Sequence, residues 1–250
     1  MTVRPESRGA PILAQRGFTL VELAIVLFIV TLLLGGMLLP LSAQQDIRAR
    51  QETEKVLGET RDALLGYVVV NGRLPCPDTD ADGAENGSAG ACTAQEGDFP
   101  YQTVGTTQSD GWGYRLRYRV SSAFSSTISL SSAGDITVIT RGDNPATVGT
   151  TETKSANNLV TTAPAVILAV GKNGFGGRPA AGGTATPVPA INADEVRNNS
   201  GSTKVNRNPT SVQATCSDTA EGSPFCEFDD QLVWLSSNTI FNRLVAAGKL

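Results

Sequence analysis

Residues 16–41 read RGFTLVELAIVLFIVTLLLGGMLLPL, and this stretch organises everything around it. From Leu23 to Leu41 there are 19 residues without a charge, and Thr31 is the only polar side chain among them. That is close to the roughly 20 residues a helix needs to cross a bilayer. The preceding residues 1–17 are polar and carry Arg4, Arg8 and Arg16 against a single Glu6. Arginines before the run and none directly after it place the N-terminus in the cytoplasm and the bulk of the chain outside. An ordinary secretory signal is the first alternative, with cleavage near Leu41-Ser42-Ala43. Such a signal has a shorter core and its small residues follow the core, whereas here Gly17 stands before it.

Glu22 is the anomaly in the run. A carboxylate in an apolar helix costs up to about 3 kcal/mol near the bilayer centre and less at the interface, so it asks for a function. The plain reading is a membrane-edge residue that snorkels. Position suggests more: if the chain is cut after Gly17, Phe18 becomes the N-terminus and Glu22 the fifth residue. The new ammonium of one subunit then comes within reach of Glu22 on a neighbour. In low dielectric that pairing is strong and sets the axial register of a helical bundle.

RGFTLVELAIVL resembles the prepilin cleavage and methylation motif of type IV pilins and type II secretion pseudopilins. The resemblance implies Gly17 as the last leader residue, Phe18 as the N-methylated terminus and Glu22 as the assembly residue. It also implies three partners: a prepilin peptidase, other pilin or pseudopilin subunits in a homo- or hetero-filament, and an ATP-driven inner-membrane assembly platform. The precursor would sit in the inner membrane with its N-terminus cytoplasmic and its head periplasmic, then move into a pilus or pseudopilus. The function implied is structural, not enzymatic. The long Gly/Asn-rich head suits a minor or pseudopilin-type subunit better than a compact major one.

The helix is expected to continue past the apolar run. Residues 42–70 are charged and helix-favouring, with Val56, Ala63 and Tyr67 beside Leu57, Leu64 and Val68 on one face. Asn71-Gly72 is the expected stop, and Gly35-Gly36 and Pro40 are expected to weaken or kink the helix. Segments of β character follow at Tyr114–Ser121, Thr127–Leu130, Ile136–Arg141, Val166–Val170 and Gln231–Leu235, and the last stretch, NTIFNRLVAAGKL, reads as a short helix. Residues 142–163 and 178–209 read as loops. The fold class is therefore α+β: a long N-terminal helix packed on an antiparallel β-sheet head, pilin-like. Its parts are a leader over 1–17, a transmembrane and assembly helix over 18–41, an amphipathic continuation over 42–71 and a disulfide-containing head over 72–250.

Composition narrows the function. Histidine is absent, which removes the commonest general base and metal ligand. The net charge of -4 offers no basic excess, so no nucleic-acid partner is expected. YRLRYR, with Arg115, Arg117 and Arg119, is the one basic patch and reads first as an exposed strand face. The four cysteines form no CxxC pair and allow three pairing patterns; the one built of two local bridges, Cys76–Cys92 and Cys216–Cys226, staples a polar loop with each. Disulfides imply an oxidising compartment.

No cofactor is required, and calcium is the ion to consider. DTDADG places Asp78, Asp80 and Asp82 before Gly83, matching the first half of a calcium loop, though Ala89 at the twelfth position excludes an EF-hand. The competing reading is a solvated acidic loop. A second, weaker resemblance joins DGWGYRLRY, AVILAVGKNGFGG and FDDQLVWLS to major pseudopilins, in which a loop near the C-terminus can hold calcium. Carried over, it marks Asp229 and Asp230. As an acid/base pair these neighbours look poor, because adjacent strand residues face opposite sides. GKNGFGG lacks the GxxxxGK[ST] pattern and reads as a turn. The rival from another class is a bitopic inner-membrane anchor carrying a periplasmic ligand-binding or hydrolase domain.

Overall fold

The computed structural model describes residues 18–88, 90–141, 154 and 156–250, with residues 34–41 described in backbone only. The expected leader, including Gly17, lies outside these residues. The chain divides into two units, 1–45 and 46–250. Helix α1, Leu20–Asn71, runs uninterrupted through Gly35, Gly36 and Pro40, where a weakening was expected.

In the first unit the described apolar side chains from Leu20 to Leu33 are exposed. Among the described residues, no helix is long and apolar enough to cross a membrane. The side chains of 34–41, the last third of the expected span 18–41, lie outside that description.

In the second unit, α1 buries a stripe of Thr53, Val56, Leu57, Thr60, Leu64 and Val68, spaced three and four apart. This is the periodicity of one helix face. The expected Ala63 and Tyr67 flank that stripe and are only partly buried. The helix stops at the expected Asn71-Gly72, where the Gly72 N–H bonds Val68 O at 2.8 Å and Asn71 Nδ2 bonds Tyr67 O at 2.9 Å.

The stripe packs on a four-stranded antiparallel sheet. In spatial order its strands are β3 (Glu96–Asp98), β4 (Arg117–Val120), β7 (Ala165–Ala169) and β9 (Gln231–Trp234). Tyr118, Val120, Ala165, Ile167 and Ala169 face α1, joined by Ile240 and Leu244 of the C-terminal helix α5, Ser237–Ala246. Val166, Leu168 and Leu232 face the other way, onto Ile136, Val138 and Ala163 of a second sheet. Strand β7 is thus buried on both faces, which is why AVILA reads as an unbroken apolar run. A small hairpin of β1 (Gly87–Ser88) and β2 (Ala91–Cys92) lies in the first disulfide loop. Helices α2 (Tyr101–Val104) and α3 (Ser122–Ser125) are single turns.

The second sheet corrects the sequence reading. Its order is β6 (Asn157–Ala163), β5 (Ile136–Thr140), β8 (Thr203–Val205), and β5 pairs with β8 in parallel. The head is therefore not purely antiparallel. Residues 157–163, expected as loop, are an edge strand; their Asn and Thr side chains stay exposed while the β-branched threonines favour extended backbone. Within 178–209, also expected as loop, lie β8 and helix α4, Ala193–Asn199. Conversely, Thr127–Leu130 is not a strand: Ile128 enters the core from a loop pinned by its N–H to Gly72 O at 3.2 Å.

Candidate functional site

The N-terminal site begins with a feature the sequence reading passed over. Thr19 and Glu22 form a reciprocal capping box: the Thr19 N–H and hydroxyl each donate to Glu22 Oε2 at 3.0 Å, and the Glu22 N–H donates to Thr19 Oγ1 at 3.2 Å. The signal was present as Thr-x-x-Glu before an apolar run. Glu22 therefore starts its own helix, whatever else it does. Phe18, one residue upstream of this box, is exposed.

The head carries two clusters of carboxylates. In the first, Asp78, Asp80 and Asp82 bring oxygens within 4.8 Å of one another. Asp78 is buried, and its oxygens are already used: Oδ1 accepts from Asp80 N at 3.2 Å and Ala81 N at 2.7 Å, and Oδ2 accepts from Gly83 N at 2.8 Å. The Arg115 guanidinium stands 3.8 Å from Oδ2 and donates to Ala81 O at 2.7 Å. Asp80 and Asp82 are exposed. The loop closes on itself, with an arginine supplying the positive charge.

The second cluster is differently built. Glu195 of α4, Asp229 and Asp230 also place carboxylate oxygens within 4.8 Å of one another. Asp229 and Asp230 precede β9 rather than lying in it, so strand alternation does not separate them. This corrects the expectation that the two face opposite sides. Glu195 was missed because its partner segment is about 35 residues away and nothing local in ADEVRNN marks it.

The donors around this cluster are neutral amides and backbone N–H groups. Asn173 Nδ2 and Asn192 Nδ2 donate to Glu195 at 2.8 and 3.1 Å, and Asn198 Nδ2 donates to Asp230 Oδ2 at 2.8 Å. The Asn173 N–H donates to Asp229 Oδ2 at 2.9 Å. Asp229 Oδ1 and Asp230 Oδ1 are buried without a partner. Among the described residues, no arginine or lysine forms an ion pair with any of the three. Burial pushes the Glu195 carboxyl up to about 7 and that of Asp229 up to about 6, and it holds Asp230 well above the carboxylate range. Desolvation disfavours each charge, and like charges nearby add to it.

The glycine turn after β7 makes room for this arrangement. Gly171 has φ +68°, and a Cβ there would collide with Asp229 Cγ and Oδ1. Only glycine combines that backbone with that approach. GKNGFGG is the expected turn, and through Asn173 it also lines the cluster. Of the three carboxylates, Asp229 borders an open groove, together with Asp46, Arg50, Trp112 and Lys172.

The basic strand is not the exposed face that was expected. Arg115 is buried, and Arg117 and Arg119 are mostly buried against Glu96, Asp98 and Asp135. Cys76 is bonded to Cys92 and Cys216 to Cys226. No curated protein and no solved structure matches the chain significantly. The N-terminal segment does have a match: residues 12–38 carry the prokaryotic N-terminal methylation motif, the prepilin-type cleavage and methylation signal of type IV pilins and pseudopilins.

Proposed function

We propose that this chain is the precursor of a structural subunit of a type IV pilus or type II secretion pseudopilus, of minor or pseudopilin type. The observation that carries the reading is the methylation motif over residues 12–38, with Gly17, Phe18 and Glu22 at its centre. A prepilin peptidase cuts between Gly17 and Phe18 and methylates the new terminus. The segment 18–41 holds the precursor in the inner membrane and later packs against its copies, with Glu22 taking up the terminal ammonium of a neighbour. The exposed apolar side chains from Phe18 to Leu33 support this, since such a surface must be covered by lipid or by other subunits.

The head has the disulfides of an oxidising compartment. Calcium is the ligand proposed for Asp229 and Asp230, whose orphaned oxygens suit a hard cation. Bound there, it would supply positive charge to oxygens that have no protein cation. No cation is assigned to Asp78, Asp80 and Asp82, because Arg115 already supplies the charge at that loop.

The test is the intact mass and N-terminal sequence of the protein purified from membranes of cells that contain a prepilin peptidase. A chain beginning at N-methylated Phe18 is the expected result. A chain that begins at Met1 would favour the anchored binding domain or hydrolase, and one that begins after Ala43 a secreted head.

A further inference from the structure

Building on the calcium reading for Asp229 and Asp230, we propose that Glu195 is the third carboxylate of that cation site and that the site clamps helix α4 to the start of strand β9. Three observations converge on it. The first is geometric. Calcium takes oxygen ligands at about 2.3–2.6 Å, so ligands of one ion lie no more than roughly twice that apart. One oxygen from each of Glu195, Asp229 and Asp230 meets this limit, at 4.8 Å or less.

The second is the state of the oxygens. Asp230 is only 5% exposed, and its Oδ1 is buried without a partner, as is Asp229 Oδ1. A buried carboxylate oxygen without a donor is costly, and two of them in one cluster call for a shared proton or a bound cation. The nearest cations do not fill the role. Lys204 is held by Glu96 and by Asn198 O at 2.9 Å, and Arg50 stands at the groove rather than in a bond to the cluster.

The third is the scaffolding of α4. Asp194, the residue before Glu195, is fixed by Arg141 Nε and Arg207 Nε, both at 2.9 Å, and its N–H donates to Asp218 Oδ2 at 3.1 Å. Asn198, one turn further on, donates to Asp230 and accepts from the Val205 N–H at 2.6 Å. Glu195 is thus held rigidly against two other carboxylates, an arrangement that repels itself unless a proton or a cation lies between them. Gly171, without a Cβ, lets the backbone come close to Asp229 Oδ1, where any side chain would collide.

The experiment uses the full chain in detergent, stripped with a chelator, with calcium binding followed by titration calorimetry and thermal unfolding read with and without calcium. The wild type is expected to bind one calcium and to unfold at higher temperature in its presence. Glu195→Gln should weaken binding roughly tenfold or more, since affinity follows the charge of the ligand set. The same variant should unfold no lower than wild type without calcium, because a repelling charge has gone. That combination separates a ligand from a residue needed only for folding. Asp82→Asn should bind as wild type.

Three outcomes count against the proposal, and they do so differently. A wild type that binds no calcium sinks the reading at Asp229 and Asp230 and this one with it. Binding abolished by Asp230→Asn but unchanged in Glu195→Gln leaves the site standing and removes Glu195 from it. Binding lost in Asp82→Asn moves the ion to the other acidic loop and overturns the assignment.

Discussion

Asp110 shows how much one side chain organises in this head. Its Oδ1 accepts from the N–H groups of Trp112 and Tyr114, both at 2.9 Å, and so shapes the turn of DGWG. Gly111 beside it lies against helix α1, where a Cβ would collide with Ala49 O, and its N–H donates to Thr53 Oγ1 at 3.1 Å. Burial leaves Asp110 Oδ2 without a partner and raises the carboxyl to about 6. A folded value above the unfolded one means the neutral form is favoured on folding. The contribution is fully present below about pH 4 and is lost as pH rises through 6. A shift of about two units corresponds to roughly 3 kcal/mol as an upper bound. Asp110→Asn keeps the acceptor for both N–H groups and removes the charge. Urea unfolding of variant and wild type at pH 4 and pH 7.5 should show the variant gaining about 1–3 kcal/mol relative to wild type at the higher pH. An equal difference at both values would show that Asp110 does not titrate with folding.

Among the elements, helix α1 asks the sharpest question, because Glu22 both caps it and is proposed to pair across subunits. The two roles separate by mutation. Thr19→Ala removes the capping partner and costs about 1 kcal/mol at the helix start. It is expected to leave membrane insertion, cleavage and filament incorporation intact. Glu22→Ala is expected to permit insertion and cleavage but to block incorporation, read as the subunit's absence from sheared filaments. Equal defects in the two variants would reduce Glu22 to its cap. Helix α4 poses a different problem. It is seven residues long, too short to be stable by itself, and is held almost entirely by tertiary bonds.

Across the whole head, Arg207 ties together segments far apart in the chain. It donates to Asp194 at 2.9 Å, to Asp218 and to Cys226 O at 3.1 Å, and to Thr210 Oγ1 at 2.9 Å. Its guanidinium also lies over the rings of Phe225 and Phe228, 4.7 and 4.3 Å from their centroids. Removing one partner of a buried ion network typically costs about 3–5 kcal/mol, because the remaining charges lose their compensation. Arg207→Met should therefore destabilise the head by an amount in that range in urea unfolding. A loss under about 1 kcal/mol would mean that Arg141 alone suffices for Asp194.

What could be read directly was whatever depends on spacing within one segment. The motif around Gly17, Phe18 and Glu22, the buried face of α1 from Val56 to Val68, the strand at Val166–Val170 and the C-terminal helix are all written in local periodicity and composition. The pairing of the cysteines was legible as the one pattern of three in which both bridges are local. Tertiary structure alone decided the rest. That Asn157–Ala163 is a strand depends on Ile136–Thr140 being there to pair with it, since an exposed Asn/Thr run carries no inward face of its own. That Glu195 joins Asp229 and Asp230, and that Arg115 closes on Asp78, depends on chain crossings that no period encodes. Side-chain spacing reports which face an element buries. Which charge meets which is settled only when distant segments are brought into the same low-dielectric space, where an unpaired group becomes costly.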